Sequence, residues 1–167
     1  MVGTFYEFPQ PAAGPNPGFH GATEILDHTT MYERLATSPT DRVDAEAFLR
    51  ARLVDIMLGD FDRHRKQWRW AKLPGTPLWQ PLPEDRDMAF VRYEGVALRV
   101  AHVYVPILQK YGPDYDDIHG LTLHGWEQDR WVLPALAWPD WERVARDVQT
   151  RVSDDVIAAA VAALPPE

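Results

Sequence analysis

The chain contains no cysteine. That excludes a disulfide framework, thiolate metal ligands and a cysteine nucleophile. It accords with a reducing compartment without requiring one. The sequence also has no apolar run of the ~20 residues that a membrane-spanning helix needs. Its N-terminus lacks the charged-then-apolar pattern of a secretory signal. These absences predict a soluble, cytoplasmic protein with no membrane span. Positive charge is in short supply: 17 Lys and Arg stand against 25 Asp and Glu, a net charge of −8. That balance disfavours sequence-independent binding to nucleic acid or anionic membranes, both of which require a basic surface. Familiar catalytic signatures are missing too. There is no H-E-x-x-H metal helix and no G-x-S-x-G elbow, so Ser38 and Ser153 are poor nucleophile candidates. Asp114, Asp116 and Asp117 lack the glycine and the distal glutamate of a calcium loop.

What is present points to one folded domain. The 167 residues are 46% hydrophobic and include seven Trp, enough for a sizeable core. Residues 1–22 are rich in Pro and Gly and read as an irregular connector, leaving 23–167 as the domain. Thr23 to about Leu35 carries Ile25, Leu26, Met31 and Leu35 and is expected to be a short helix. Asp44 is an N-cap candidate for a helix over 44–58, with Phe48, Leu49, Leu53, Ile56 and Met57 as the buried stripe and Gly59 as its terminator. Trp68 and Trp70 alternate with Arg69, and a Pro-Gly turn at 73–77 separates them from an apolar run at 78–82. The pair predicts a β-hairpin. Residues 91–111 are open to two readings. Val96, Leu98 and Val100, then Val103, Val105 and Ile107, alternate as a strand does, but the run is long and ends at Gly112-Pro113, so a helix broken at Pro106 is preferred; 112–122 reads as a loop. Helix resumes near Trp126. Pro139 suits the first turn of a helix to about Val152, and Ser153 caps another from Asp154 to Leu164. The fold class expected is α+β, mostly helical, with a small hairpin. Glu127, Asp129 and Arg130 read as a solvated helix face.

The chain is organised around Leu58-Gly59-Asp60-Phe61-Asp62-Arg63-His64-Arg65-Lys66-Gln67, a loop between a helix and the first hairpin strand. Arg63, Arg65, Lys66, Arg69 and Lys72 make a local basic cluster in an acidic protein. A hairpin returns to its origin, so Gln67 at its entrance meets Asp85 and Asp87 at its exit. Asp62, Gln67, Asp85 and Asp87 are therefore expected in one neighbourhood. Carboxylates and a carboxamide suit a hard divalent cation such as Mg²⁺. Phosphoryl transfer uses the same set: an Asp that takes the proton of the attacking hydroxyl, and an amide and a second Asp for metal on the nucleotide phosphates. In kinases the amide lies five residues after the catalytic Asp, and Gln67 lies five after Asp62.

Asp62-Arg63-His64-Arg65-Lys66-Gln67 resembles the Asp-Arg-His-x-x-Asn catalytic loop of atypical kinases: lipid kinases, HipA-type kinases and secretory-pathway protein kinases. The stretch from Trp79 to Phe90, with Asp85-Arg86-Asp87, is similar to the metal segment of spore-coat CotH kinases, roughly Ile-Pro-Trp-Asp-x-Asp-x-x-Phe. More broadly, residues 20–165 resemble a bacterial group carrying Gly-Asp-Trp-Asp-Arg-His-x-x-Gln-Trp-x-Trp. The resemblance implies a kinase-like C-terminal lobe that uses Mg²⁺ and ATP to phosphorylate an unknown acceptor. It makes Asp62, Arg63 and His64 the catalytic loop, with Asp62 the working carboxylate and the other two bracing it. It places Lys66 at the cofactor, and Gln67 with Asp85 or Asp87 at the metal.

Two departures bear on activity. Gln replaces Asn at 67, which moves the amide by about one bond length in a geometry that Mg²⁺ enforces strictly. No G-x-G-x-x-G loop exists, and the first Lys of the chain is Lys66 itself, so nothing upstream can clamp the nucleotide as a kinase N-terminal lobe does. The expected lobe is thus incomplete without a second one, which a partner or a further segment would supply. Two other readings follow from the same residues: a catalytically silent pseudokinase serving as a binding module, and a metal-dependent phosphoesterase. The plainer alternatives are that Asp60 and Asp62 cap a turn, that His64 is a structural histidine, and that Asp85-Arg86-Asp87 is a surface ion-pair cluster.

Overall fold

Helix α2, Ala45–Met57, is the beam of the structure, a computed structural model that describes residues 21–92, 105, 107–108, 110–115 and 118–163. It starts where Asp44 Oδ1 accepts the Ala47 N–H at 2.9 Å and ends at Gly59, whose φ of 69° suits a residue without Cβ. Its buried face differs from the stripe that hydrophobicity predicts. Ala45, Phe48 and Leu49 are buried as expected, but the face continues through Arg52 and Asp55, while Met57 is 38% exposed. Leu53 and Ile56 are only partly covered. Residues 45, 48, 49, 52 and 55 form one continuous helical face, and its C-terminal end carries charge whose partners lie beneath it.

The sheet has three strands rather than the two of a hairpin. β1 (Glu24–Asp27), β2 (Trp68–Lys72) and β3 (Trp79–Pro83) lie in that order, all antiparallel. In the central strand Trp70 stands between Leu26 and Pro81. Pro81 is tolerated because β3 is an edge strand, where a missing N–H costs no ladder bond. Period-two alternation sends Trp68 and Trp70 to one face, where Phe48 meets their rings at 4.6 and 6.0 Å. Ala71 points the other way and joins Ala22 and Ile25 in a smaller cluster.

The helix expected from Thr23 is therefore two elements. Glu24, Ile25 and Leu26 pair with Lys72, Ala71 and Trp70, and only then does α1 (His28–Thr37) begin, capped by Asp27. The sheet edge decides this, a tertiary demand that local pattern does not display. The helix expected over 91–111 falls largely outside the described residues.

Beyond it the chain is helical: α3 (Ile118–Thr122), a 3₁₀ turn (Leu123–Gly125), α4 (Trp126–Val132), a second 3₁₀ turn (Leu133–Ala135), α5 (Trp138–Arg151) and α6 (Asp154–Ala162). The loop foreseen at 112–122 thus ends in a helical turn. α5 lies along α2, burying Val144 and Val148 and linking the two helices through Arg143–Glu46 (2.7 Å) and Arg50–Asp147 (3.0 Å). The fold is α+β, with helices dominant. No helix among the described residues is long and apolar enough to cross a membrane.

Candidate functional site

Below the Asp62 loop lies a knot of buried charge. Arg63 is fully buried, and its guanidinium stacks over Trp68 at 5.0 Å. Its Nε donates to Asp55 at 3.0 Å, and one Nη1 donates to the carbonyls of Glu84 and Asp85, both at 2.6 Å. The arginine fork thus ties the loop to the chain leaving the hairpin. Asp55, itself fully buried, also accepts from Arg86 at 3.0 Å. Arg52 reaches Asp129 through two bonds of 2.7 and 2.8 Å. Asp129 is therefore an anchor and not part of a solvated face. Burying so many ions is costly unless each is matched, and here the carboxylates and guanidiniums alternate.

Two members are poorly matched: Arg52, whose Nη1 has no hydrogen-bond partner, and Asp60. Asp60 is 1% exposed, and its Oδ2 has no hydrogen-bond partner, with Arg63 Nη1 at 3.7 Å. Burial pushes its carboxyl up to about 6, an increase that Arg63 opposes and the Asp55 carboxylate reinforces.

Above this knot Asp62 keeps about a quarter of its side chain exposed (24%). Its Oδ1 lies 2.9 Å from His124 Nδ1 and 3.9 Å from His64 Nε2. His64 keeps 40% of its side chain exposed, yet its Nδ1 is buried without a partner. Asp85 sits in the left-handed region (φ 48°), and its carboxylate accepts the Asp87 N–H at 3.4 Å. Asp87 is held above the usual carboxylate range by burial and then by the charges of Asp85 and Asp62. Of the neighbourhood expected from the hairpin, Asp87 lies within reach of the charges of Asp85 and Asp62. Gln67 joins them through its backbone: its carbonyl accepts from Glu84 N at 2.9 Å and from Arg63 Nη2 at 3.4 Å. Lys66 is exposed on the 3₁₀ turn Arg65–Gln67. With Arg65 and Arg69 it lowers the basicity of His28, after burial has done so, which marks a positive rim beside the loop.

The Mg²⁺ implied by the resemblance can be tested against these residues. Their donor types suit it. Among the described residues no three His, Asp or Glu side chains gather closely enough to hold a metal ion by themselves. Mg²⁺ asks for less, one or two carboxylates with substrate phosphates and water, and Asp62, Gln67, Asp85 and Asp87 are the residues that would hold it.

His124 is the residue that sequence reasoning passes over. It has no motif spacing to Asp62, which lies 62 positions earlier. It arrives because the 3₁₀ turn Leu123–Gly125 presses on Arg52: a Cβ at Gly125 would meet Arg52 Nη2 at 2.5 Å. Only a glycine lets the turn close on that guanidinium. Asp55, Asp60 and Arg52 are equally hidden from pattern reading, because charges on a core-facing helix stripe look like its solvated edge. Compared with protein-family models, with curated proteins and with solved structures, the chain matches none of them.

Proposed function

We propose that the chain is a kinase-like phosphotransferase lobe in which Asp62 accepts the proton of the attacking hydroxyl. One observation carries the reading: Asp62 is presented to solvent by a loop whose next residue, Arg63, is wholly buried and locked onto the backbone of Glu84 and Asp85. A general base must be held in a fixed place, and this brace supplies that rigidity. The exposed cations Arg65 and Lys66 supply positive charge for nucleotide phosphates at the rim. No step is assigned to a metal.

The test is turnover of Mg-ATP by the full chain, followed as ADP release and as phosphate incorporated into itself or an added acceptor. D62N should lower the rate by ~10²–10⁴-fold while the protein stays folded, the range expected for losing a general base. Equal rates for the two proteins, or no thermal shift of the wild type with saturating Mg-ATP, would sink the proposal. The backbone-only role of Gln67 favours one second reading, a silent pseudokinase module. It predicts nucleotide binding without turnover.

A further inference from the structure

The two oxygens of Asp62 live in different surroundings. Both histidines approach Oδ1, His124 Nδ1 at 2.9 Å and His64 Nε2 at 3.9 Å, while Oδ2 makes no hydrogen bond with a described residue. A free carboxylate rotates about its terminal bond, which is broad and nearly two-fold. A donor fixed on one oxygen stops that rotation and sets the other in place. His124 is itself fixed. Its turn rests on Arg52, which Asp129 grips with two bonds of 2.7 and 2.8 Å. The His124 side chain is 37% exposed.

We infer that His124 is a positioning residue for Asp62: its Nδ1–H holds Oδ1 and leaves Oδ2 as the oxygen that meets a reacting hydroxyl. The inference rests on the phosphotransferase reading for its catalytic consequence and on geometry alone for the contact. In the step it serves, the acceptor O–H gives its proton to Oδ2 and the acceptor oxygen bonds to the γ-phosphorus. The bond from that phosphorus to the bridging oxygen breaks, and ADP leaves. A carboxylate that accepts at Nδ1 also selects the neutral tautomer carrying its proton there, against the Nε2–H form.

Two measurements test this on the full chain. In kinetics, H124A should lower kcat by ~10–100-fold with the KM for ATP nearly unchanged, the usual scale for removing a residue that orients a ligand or base. H124N should recover most of that loss, because the asparagine Nδ2 reaches where the ring Nδ1 stood. An H124A protein with wild-type kcat, or an H124N protein no better than H124A, overturns the inference. In ¹⁵N NMR at about pH 8, where a histidine ring is ordinarily neutral, wild-type His124 should be the Nδ1–H tautomer and should change to Nε2–H in D62A. An Nε2–H ring in the wild type overturns the inference whether or not either variant folds. If the wild type shows no turnover, the phosphotransferase reading falls by itself, and the tautomer still decides the contact.

Discussion

Replacing Arg63 with lysine would keep the charge and lose the fork. One ammonium cannot reach Asp55 and the carbonyls of Glu84 and Asp85 together, and it stacks less well on Trp68. Breaking a buried pair from one side typically costs about 3–5 kcal/mol, so R63K should lower the denaturation midpoint markedly, and R63A more so. Asp60 predicts the opposite kind of effect. Its folded pKa of about 6 lies above the ordinary 3.8, so the folded state binds a proton more tightly than the unfolded chain. The stability this proton contributes is complete below about pH 4 and is lost as pH rises through 6, a difference of about 3 kcal/mol. The groups facing it are Arg63, Asp55 and Arg86, with the Asp62 N–H on Oδ1 at 3.2 Å. D60N keeps an acceptor for that N–H and removes the titration. Denaturation of both proteins across pH should show D60N gaining on the wild type from pH 4 to 7; parallel curves would refute the assignment.

At the scale of elements, α2 shows where sequence reading stops. Asp44 as cap, Gly59 as stop, and Phe48 and Leu49 as core follow from local chemistry, and the structure bears them out. The second half of its buried face does not follow. Leu53, Ile56 and Met57 look like core by spacing, yet Arg52 and Asp55 occupy the interior, because Arg63 from the following loop and Asp129 and Arg86 from later segments meet them. Substitution separates the two descriptions. L49A should cost about 2–5 kcal/mol, whereas M57A should cost less than ~1, since the side chain is already 38% exposed. The turn before α4 gives another contrast. G125A would push a methyl group into Arg52 and should destabilise by ~1–3 kcal/mol, and it should displace His124 as well. Thermal denaturation of the three variants checks these expectations.

Taken as a whole, the molecule concentrates its order around α2, the sheet and α5, and leaves α6 outside. No residue of α6 is buried, and Val156, Ile157 and Val161 are exposed. Ending the chain at Val152 should therefore change the thermal midpoint very little, by less than ~1 kcal/mol in stability. A large loss would mean that the helix has a docking place in the fold. The class of the fold, the helix caps Asp44 and Ser153 and the meeting of the hairpin ends were legible because each is written in a few neighbouring residues. The third strand, the Arg52–Asp129 anchor of the ion knot and His124 were not, because each depends on partners 40 to 80 positions away. The brace has one more implication. Arg63 grips carbonyls at 84 and 85, atoms that every amino acid carries, so the grip itself does not depend on the side chains there. Asp55 and Arg63 have no such freedom. At 85 the left-handed φ of 48° and the carboxylate's hold on the Asp87 N–H set the demand instead.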